Sequence, residues 1–270
     1  MNVDSFGDRM KFYEKQYADI LTPLLPVLVR LDGKAFHSFT KGLERPYDKR
    51  LTDLMVETTK ELVNITSAKV GYTQSDEITL LLYSDNYKSQ IYFDGKVNKI
   101  NSVLASHASV FFNRILRYHL PDKKEFMPVF DCRTWVVPNK IEACNVFIWR
   151  EQDAVRNSIQ MAGQSQFSHR QLQNKNCDEI QEMLWKEENI NWNDYPSFFK
   201  RGTYVFRVKK KVKFTLEELE KLPEQHEARK NPDLEIERNL IEVREIPVLT
   251  KIINKAEVLF EGADAIAEGK

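Results

Sequence analysis

The chain has 270 residues, of which 42% are hydrophobic and 30% are charged, and its 40 lysines and arginines balance 40 aspartates and glutamates. This composition excludes a disordered tail, a collagen-like fibre and a small disulfide-rich fold. The zero net charge argues against binding through a global positive field, so a nucleic-acid site would have to be a local patch.

The cysteines and the apolar stretches indicate the compartment. The 3 cysteines include no CxxC pair, which is typical of neither a disulfide framework nor a zinc site. The apolar stretch Ile20–Leu31 is broken by Pro23 and Pro26 and is too short to span a bilayer. The first residues do not resemble a signal or transit peptide. We therefore expect a cytoplasmic protein that does not associate with membranes.

The first predicted elements are a buried strand and a helix. A short apolar run predicts a strand over Val27–Leu31, which stops at Asp32 and Gly33. A carboxylate therefore lies at the end of a strand. Apolar residues on one helical face then predict a helix that begins after Asp48, a suitable N-cap, and runs to about Asn64.

A hairpin, a long helix and a fourth strand follow. Two β-type runs, Ala68–Thr73 and Ile78–Tyr83, predict a hairpin with acidic residues near its tip. A helical pattern extends over Tyr87–Leu120, and Met127–Pro138 predicts a strand closed by proline. The resulting order, β-α-β-β-α-β, is that of the split βαβ unit.

This order predicts an α+β fold, namely a ferredoxin-like polymerase palm in which a split βαβ antiparallel sheet carries its helices on one face. Nucleotidyl-transfer palms use this frame, but many unrelated proteins share it, so the order alone does not fix a function. We expect a palm-like catalytic domain over residues 1–138.

The second half of the chain is predicted to be a helical and β-hairpin extension, over residues 139–270, packed on the palm as one structural unit. A largely helical pattern extends to about Glu188, with a break at Phe167–Leu172. Gly202–Phe214 alternates as a strand does, and Thr215–Glu218 matches a capping box that opens a further helix.

Three carboxylates fall where two predicted strands can be neighbours: Asp32 ends the first strand, and Asp76 and Glu77 lie in the hairpin. Phosphoryl transfer uses divalent cations to neutralise charge on the attacking and leaving oxygens, and carboxylates from adjacent strands can hold them. Because strand side chains alternate faces, Asp76 and Glu77 share one site only if the backbone is locally distorted, and Asp76 is the first candidate. Taken by themselves, these residues fit a turn and a solvated hairpin tip better.

Three segments, which follow one another along the chain, favour a metal site over a turn and a solvated hairpin tip. They are RLDGKAFHSF (Arg30–Phe39), GYTQSDE (Gly71–Glu77) and FDCRTWVVP (Phe130–Pro138). They resemble motifs of the tRNA-histidine guanylyltransferase family, polymerases that add nucleotides in the 3′-to-5′ direction. The first is similar to the family's strand-end Asp-Gly with its Phe-His-x-Phe, and the second to Gly-Tyr-x-Gln-Ser-Asp-Glu. The third is similar to its Phe-Asp-Gly-Arg strand, with Cys132 in place of glycine.

The resemblance implies a nucleotidyltransferase with two Mg²⁺ ions as cofactors, held by Asp32, the Gly33 carbonyl and Asp76, with Glu77 as a further catalytic carboxylate. It implies ATP, GTP or another nucleoside triphosphate beside them, tRNA as the partner, and a homotetramer. Arg45 stands where the family often has lysine, which keeps the charge but changes the geometry. The implied nucleotide contacts are Gly33, Lys34, Ala35, Phe36, His37, Arg45, Ser75, Lys96 and Lys99.

One stretch departs from the guanylyltransferases proper. After Trp149 and Arg150 those enzymes carry His-Ile-Asn-Asn-Leu-Tyr-Asn, whereas this chain has DAVRNSIQMAG (Asp153–Gly163), in which only Asn157 keeps its place. The segment resembles instead the bacterial, archaeal and organellar guanylyltransferase-like proteins, which are associated with template-directed repair of truncated tRNA 5′ ends. We therefore expect repair after activation of the 5′ phosphate by ATP or GTP. The alternatives are dedicated guanosine addition to tRNA-His, an inactive tRNA-binding palm and a nucleotide cyclase.

Candidate tRNA contacts lie mainly in the second half of the chain. The densest basic cluster, RVKKKVKF (Arg207–Phe214), would hold phosphates with little sequence selectivity. An edge strand that lysines protect from aggregation explains the cluster equally well. The predicted tRNA contacts are Arg133, Arg150, Arg156, Asn157, Lys209, Lys210 and Lys211.

Overall fold

The structure is a computed structural model that describes residues 5–16, 18–231 and 233–268. Its strands form one antiparallel sheet in the order β4-β1-β3-β2-β5-β6. The strands are β1 (Val27–Gly33), β2 (Val70–Gln74), β3 (Glu77–Leu82), β4 (Phe130–Val136), β5 (Thr203–Lys213) and β6 (Glu235–Arg244).

Helices of very different lengths accompany the sheet. In the described part of the chain, none of them is both long and apolar enough to cross a membrane. They are α1 (Phe6–Lys15), α2 (Phe36–Phe39), α3 (Lys49–Thr66), α4 (Val97–His119), α5 (Lys140–Gln166), α6 (His169–Leu172), α7 (Cys177–Glu188), α8 (Ser197–Arg201), α9 (Leu216–Lys221), α10 (Glu227–Lys230) and α11 (Lys255–Glu261).

The first four strands, together with α3 and α4, form the predicted palm. Strands β4, β1, β3 and β2 are neighbours in that order, which is the strand order of the split βαβ unit. Val29 and Leu31 of β1 lie in one buried cluster with Leu54 of α3 and Phe112 of α4. The predicted fold class, with the palm helices on one face of the sheet, is confirmed.

The extension covers the second face of the sheet. Leu28 of β1 and Leu81 of β3 lie in a buried cluster with Phe147 of α5 and Leu259 of α11. Strand β5 pairs with β2 over Thr203–Phe206, so β5 and β6 continue the sheet that the palm begins. The palm sheet is therefore enclosed between α3 and α4 on one side and α5 and α11 on the other. The division at residue 138 stays a prediction.

The helix predicted from about Tyr87 begins later, at Val97. Phe93, Asp94 and Gly95 have positive φ angles of 50°, 55° and 72°, which a right-handed helix does not accommodate. The predicted start is therefore wrong, because local backbone geometry interrupts an apolar spacing that resembles a helix.

Two predicted helix caps are confirmed. The Asp48 carboxylate accepts a hydrogen bond from the Arg50 main-chain N–H at 3.0 Å, at the start of α3. Thr215 and Glu218 form the reciprocal capping box that opens α9. The Asp48 cap fixes the end of the segment that joins α2 to α3. That segment forms one wall of the candidate site.

Candidate active site

Three carboxylates stand in a row across the sheet at the end of β1. Asp32 is directly opposite Glu77 of β3 on one side and Asp131 of β4 on the other. Directly opposed residues of antiparallel strands point to the same face of the sheet. That face is the one covered by α5, because Glu77 binds Arg150 of this helix. Asp131 was not assigned from the sequence, although strand alternation places it on this face.

A two-residue turn brings Asp76 to the same end of the sheet. Gln74 and Glu77 are paired, so only Ser75 and Asp76 connect β2 to β3, and Ser75 has a φ of 54°. The main-chain carbonyl of Asp76 accepts a hydrogen bond from the Gly33 N–H at 3.0 Å. The hairpin tip is thereby tied to the end of β1. A tight turn of this kind is the local distortion that Asp76 and Glu77 require to share a site.

Burial and mutual repulsion act on these carboxylates. Burial raises the pKa of Asp76, and the nearby charge of Asp32 raises that pKa further. Burial also raises the pKa of Glu77, although Arg150 opposes the increase. Asp32 and Asp76 therefore form a partly buried pair of like charges, which a bound cation would stabilise.

The donors at this strand end fit Mg²⁺. Asp32, Asp76 and the Gly33 carbonyl supply oxygen atoms, the ligand type that Mg²⁺ prefers. Among the described residues, no three His, Cys, Asp or Glu side chains are already grouped around a metal position. Few protein ligands suit an ion that usually completes its coordination with water and substrate phosphate. Binding of Mg²⁺ at these residues stays a prediction.

Gly33 allows the loop after β1 to return close to the strand. A Cβ atom at Gly33 would lie 2.4 Å from the Phe36 ring, so a larger residue would displace that ring. Phe36 is 3% exposed, and its ring centroid lies 5.2 Å from those of Phe39 and Phe130. Phe36 therefore anchors the start of α2 in the core, and the nucleotide contact predicted for this segment stays a prediction. The exposed residues on either side of Phe36 are Lys34, Ala35, His37 and Ser38.

A cleft opens beside the hairpin tip. Its volume is about 460 Å³, and a narrower cavity of about 60 Å³ adjoins it at Ser75. Three predicted nucleotide contacts that are distant in sequence, His37, Arg45 and Ser75, line this cleft together. Wall residues that were not predicted include Lys41, Glu44, Tyr47, Asp48, Met161 and Gln164.

The unpredicted wall residues on α5 have a signal in the sequence. Met161 lies in the stretch that departs from the guanylyltransferases proper, and Gln164 follows that stretch directly. The two residues are three positions apart on the helix, so they lie on the same side of it. The segment in which this chain departs from the guanylyltransferases proper thus coincides with the helix face that closes the cleft.

Lys96 and Lys99 lie at the other end of the sheet from the carboxylates. Asn101 of α4 accepts a hydrogen bond from Thr134, in the middle of β4. Further along α4, Ser109 Oγ accepts a hydrogen bond from the main-chain N–H of Phe130, the first residue of β4, at the carboxylate end. At 1.5 Å per residue, the two lysines are about 15 Å or more from that end along the helix. Their contact with a nucleotide stays a prediction.

Two of the predicted tRNA contacts, Arg133 and Arg156, lie on the carboxylate side of the sheet. Arg133 is 51% exposed and binds Asp131 at 3.0 Å. Arg156 is 54% exposed and binds Asp153 at 2.7 Å. Asn157 is exposed beside Arg156 on α5. These three side chains are accessible to RNA, and their role as contacts stays a prediction.

The lysine cluster lies on the far half of β5. Beyond Arg207, whose main-chain N–H donates to the Lys69 carbonyl, this strand pairs with β6 alone in the described part of the chain, so it is an edge strand there. Lys209 and Lys210 form ion pairs with glutamates of β6, at 3.0 Å and 2.5 Å, and Lys211 is exposed. Both interpretations of the cluster, phosphate binding and edge protection, therefore remain open.

Cys132, which replaces the family's glycine, points away from the carboxylate row. It is paired with Leu31 and packs against the core under α3 and α4. Burial raises the pKa of the Cys132 thiol to about 12. The replacement therefore adds an unreactive core side chain and leaves the carboxylate face unchanged.

Comparison with known proteins agrees with this geometry. Residues 7–138 match the family model described as tRNAHis guanylyltransferase (Thg1), and residues 147–249 match the Thg1 C terminal domain. The tRNA(His) guanylyltransferase of Debaryomyces hansenii is 30% identical over 213 residues, a match that covers 72% of this chain and 79% of that protein.

Two solved structures are also similar. A bacterial tRNA(His) guanylyltransferase (Thg1)-like protein in complex with ATP is 45% identical, with a TM-score of 0.71, over 75% of this chain and 88% of that one. A bacterial Thg1-like protein in complex with GTP is 36% identical, with a TM-score of 0.70, over 92% of this chain and 95% of that one. The predicted likeness to the guanylyltransferase-like branch is therefore confirmed, and the chain belongs to the tRNA-histidine guanylyltransferase (Thg1) family of nucleotidyltransferases.

Proposed function

We propose that this protein is a Mg²⁺-dependent polymerase that adds nucleotides in the 3′-to-5′ direction to tRNA, and that it repairs truncated 5′ ends by copying a template. The observation that carries this proposal is the strand end where Asp32 faces Glu77 and Gly33 binds the Asp76 carbonyl, beside a cleft whose volume suits a nucleotide. The ATP and GTP complexes of the similar bacterial proteins support a nucleoside triphosphate as the ligand.

The reaction consists of two nucleotidyl transfers. In the first, an oxygen of the tRNA 5′-monophosphate attacks the α-phosphorus of ATP or GTP, and pyrophosphate leaves. In the second, the 3′-hydroxyl of the incoming triphosphate loses its proton and attacks the activated 5′ phosphorus, from which the nucleoside monophosphate leaves. The incoming nucleotide becomes the new 5′ end and keeps its own triphosphate.

The residues at the strand end divide this work. Asp32, Asp76 and the Gly33 carbonyl would hold Mg²⁺, which supplies charge neutralisation and a lowered pKa for the attacking hydroxyl. Ser75 donates a hydrogen bond to phosphate from the hairpin tip. Arg45 places a permanent positive charge in the cleft, opposite the triphosphate.

Template-directed repair is favoured over dedicated guanosine addition by the sequence of α5. Asp153–Gly163 lacks the histidine and most of the asparagines of the guanylyltransferases proper. The identity to the two bacterial Thg1-like proteins, 45% and 36%, exceeds the 30% identity to the Debaryomyces guanylyltransferase. Dedicated addition to tRNA-His is the second candidate.

A homotetramer in the cytoplasm is part of the same proposal. Large apolar side chains on α4 and on the segment after it are open to solvent in the single chain: Val110 is 69% exposed, Tyr118 74% and Met127 75%. Contact between subunits would cover such side chains. This exposure supports assembly, and sedimentation of the purified protein measures the number of subunits.

The test is incubation with labelled nucleoside triphosphates, Mg²⁺ and a panel of tRNAs that lack their first nucleotides. We expect extension to the mature length, with each added base complementary to the opposite strand. Changing the template base should change the nucleotide incorporated. Addition of guanosine to tRNA-His alone, whatever the template, would support the second candidate. Retention of tRNA without any incorporation would contradict polymerase activity.

A further inference from the structure

Arg150, predicted from the sequence as a tRNA contact, is enclosed by carboxylates. Its Nε donates to Glu77 Oε1 and its Nη2 to Glu77 Oε2, both at 2.7 Å. The same Nη2 donates to Asp153 Oδ2 at 2.8 Å. The Arg150 and Glu77 side chains are only 11% and 15% exposed. Because carboxylates engage both Nε and Nη2 and the side chain is mostly buried, little of this guanidinium is accessible to an RNA phosphate.

Neighbouring side chains fix the guanidinium in this position. Asp153 lies three residues further along α5 and is held from its other side by Arg156 at 2.7 Å. The Trp149 ring centroid lies 4.4 Å from Arg150 Cζ. Arg150 therefore has a carboxylate on two sides and an aromatic ring against it, and these contacts restrict its orientation.

The carboxylate that Arg150 binds needs such support. Glu77 is directly opposite Asp32, and like charges in directly opposed positions of neighbouring strands repel. Both residues are partly buried, so water compensates only part of this repulsion. A bidentate arginine compensates the charge and sets the direction of the carboxylate at the same time.

We infer that Arg150 is a positioning residue, which holds the Glu77 carboxylate beside Asp32 and does not contact RNA. The inference rests on the proposed function, and it replaces the role predicted for Arg150 from the sequence. It assigns the RNA-facing part of this helix segment to the exposed Arg156 and Asn157 instead.

The experiment compares Arg150→Met with Arg150→Lys. The rate of nucleotide addition is measured in single turnovers at saturating tRNA and triphosphate, and the tRNA dissociation constant is measured separately in EDTA. For Arg150→Met we expect a rate lower by about 10- to 100-fold, typical of removing the support of a site residue. The tRNA dissociation constant of Arg150→Met should stay within about twofold of the wild-type value. Arg150→Lys should recover part of the rate, because lysine keeps the positive charge but not the bidentate geometry.

Arg201→Met is the matched control. Arg201 also lies against α5 and approaches at 3.6 Å the buried Glu151, which does not belong to the carboxylate row. Its loss should lower thermal stability without lowering the single-turnover rate below the unfolding temperature. An equal loss of rate in Arg201→Met and Arg150→Met would overturn the inference, because the effect would then be one of general stability.

A weaker and less salt-dependent binding of tRNA by Arg150→Met, with a normal rate at saturation, would also overturn the inference. The contact itself is tested without activity, by a double-mutant cycle of unfolding free energies with Glu77→Gln, in which we expect non-additive effects. Additive effects would contradict the contact. A wild-type protein that adds no nucleotide, with the cycle still non-additive, would contradict the proposed function and leave the Arg150–Glu77 contact in place.

Discussion

Asp32 is the residue at which the strand, the hairpin and the following loop meet. Its neighbours across the sheet are Glu77 and Asp131, and the next residue, Gly33, binds the hairpin tip. Each nearby carboxylate has a different environment: Glu77 is held by Arg150, Asp131 by Arg133, and Asp76 lies in the turn. Asp32 and Asp76 are thus the two carboxylates whose negative charge a bound cation would neutralise.

Removing either member of this pair should abolish nucleotide addition. For Asp32→Ala and Asp76→Ala we expect a fall of about 10³-fold or more in addition to a truncated tRNA, because several kcal/mol of charge stabilisation are removed. Asp53→Ala is the control, since Asp53 is an exposed carboxylate paired with Lys49 on α3. Circular dichroism checks that all three variants fold. Undiminished addition by Asp32→Ala would contradict its role.

At the scale of elements, the site depends on how closely α3 packs on β2, the strand that leads into the Ser75 turn. Gly71 of β2 faces α3, where a Cβ atom would lie 2.7 Å from Thr59 Cγ2 and 2.7 Å from Val63 Cγ2. The glycine therefore sets the distance between helix and strand. The hairpin tip and the cleft lie at one end of this contact.

Gly71→Ala should push α3 away from β2 and destabilise the fold by about 1–3 kcal/mol, the usual effect of overpacking. Chemical denaturation measures this change in the free energy of unfolding. Gly7→Ala is the matched control, because nothing lies within 4 Å of a Cβ atom at Gly7. Equal stability of the two variants would show that the contact between α3 and β2 is not tight.

The elements of the palm could be predicted because local patterns determine them. A short apolar run predicted β1, β-type runs bounded by turn residues or proline predicted β2 through β4, and Asp48 marked the start of α3. The start of α4 was predicted too early because the apolar spacing from Tyr87 onward resembles a helix, although Asp94-Gly95 is a turn dipeptide of the kind that ends β1. The α5 wall of the cleft also escaped, because Met161 meets Ser75 only through tertiary packing.

At the scale of the whole molecule, the balance of charges makes RNA binding a local property. Lysines and arginines equal aspartates and glutamates in number, so no global field attracts a polyanion. The carboxylate row carries negative charge at one end of β1, while the lysine cluster lies on the far half of β5. A long substrate such as tRNA can contact both regions of the surface.

Substituting Lys209, Lys210 and Lys211 together by alanine tests the lysine cluster. If the cluster binds phosphate, tRNA affinity should fall, and the slope of log affinity against log salt should decrease by about 1 for each phosphate that is no longer neutralised. Lys186→Ala on α7 is the control, since that lysine is 67% exposed and pairs with Glu182. An unchanged slope would leave edge protection as the function of the cluster.

The most direct measurement is the crystal structure of the protein with Mn²⁺, as an anomalous substitute for Mg²⁺, and a nucleoside triphosphate. We predict anomalous density bounded by the Asp32 and Asp76 carboxylates and the Gly33 carbonyl, with the triphosphate reaching it from the cleft lined by His37 and Arg45. Metal density elsewhere, with Asp32 and Asp76 turned away from each other, would contradict a catalytic centre at this strand end.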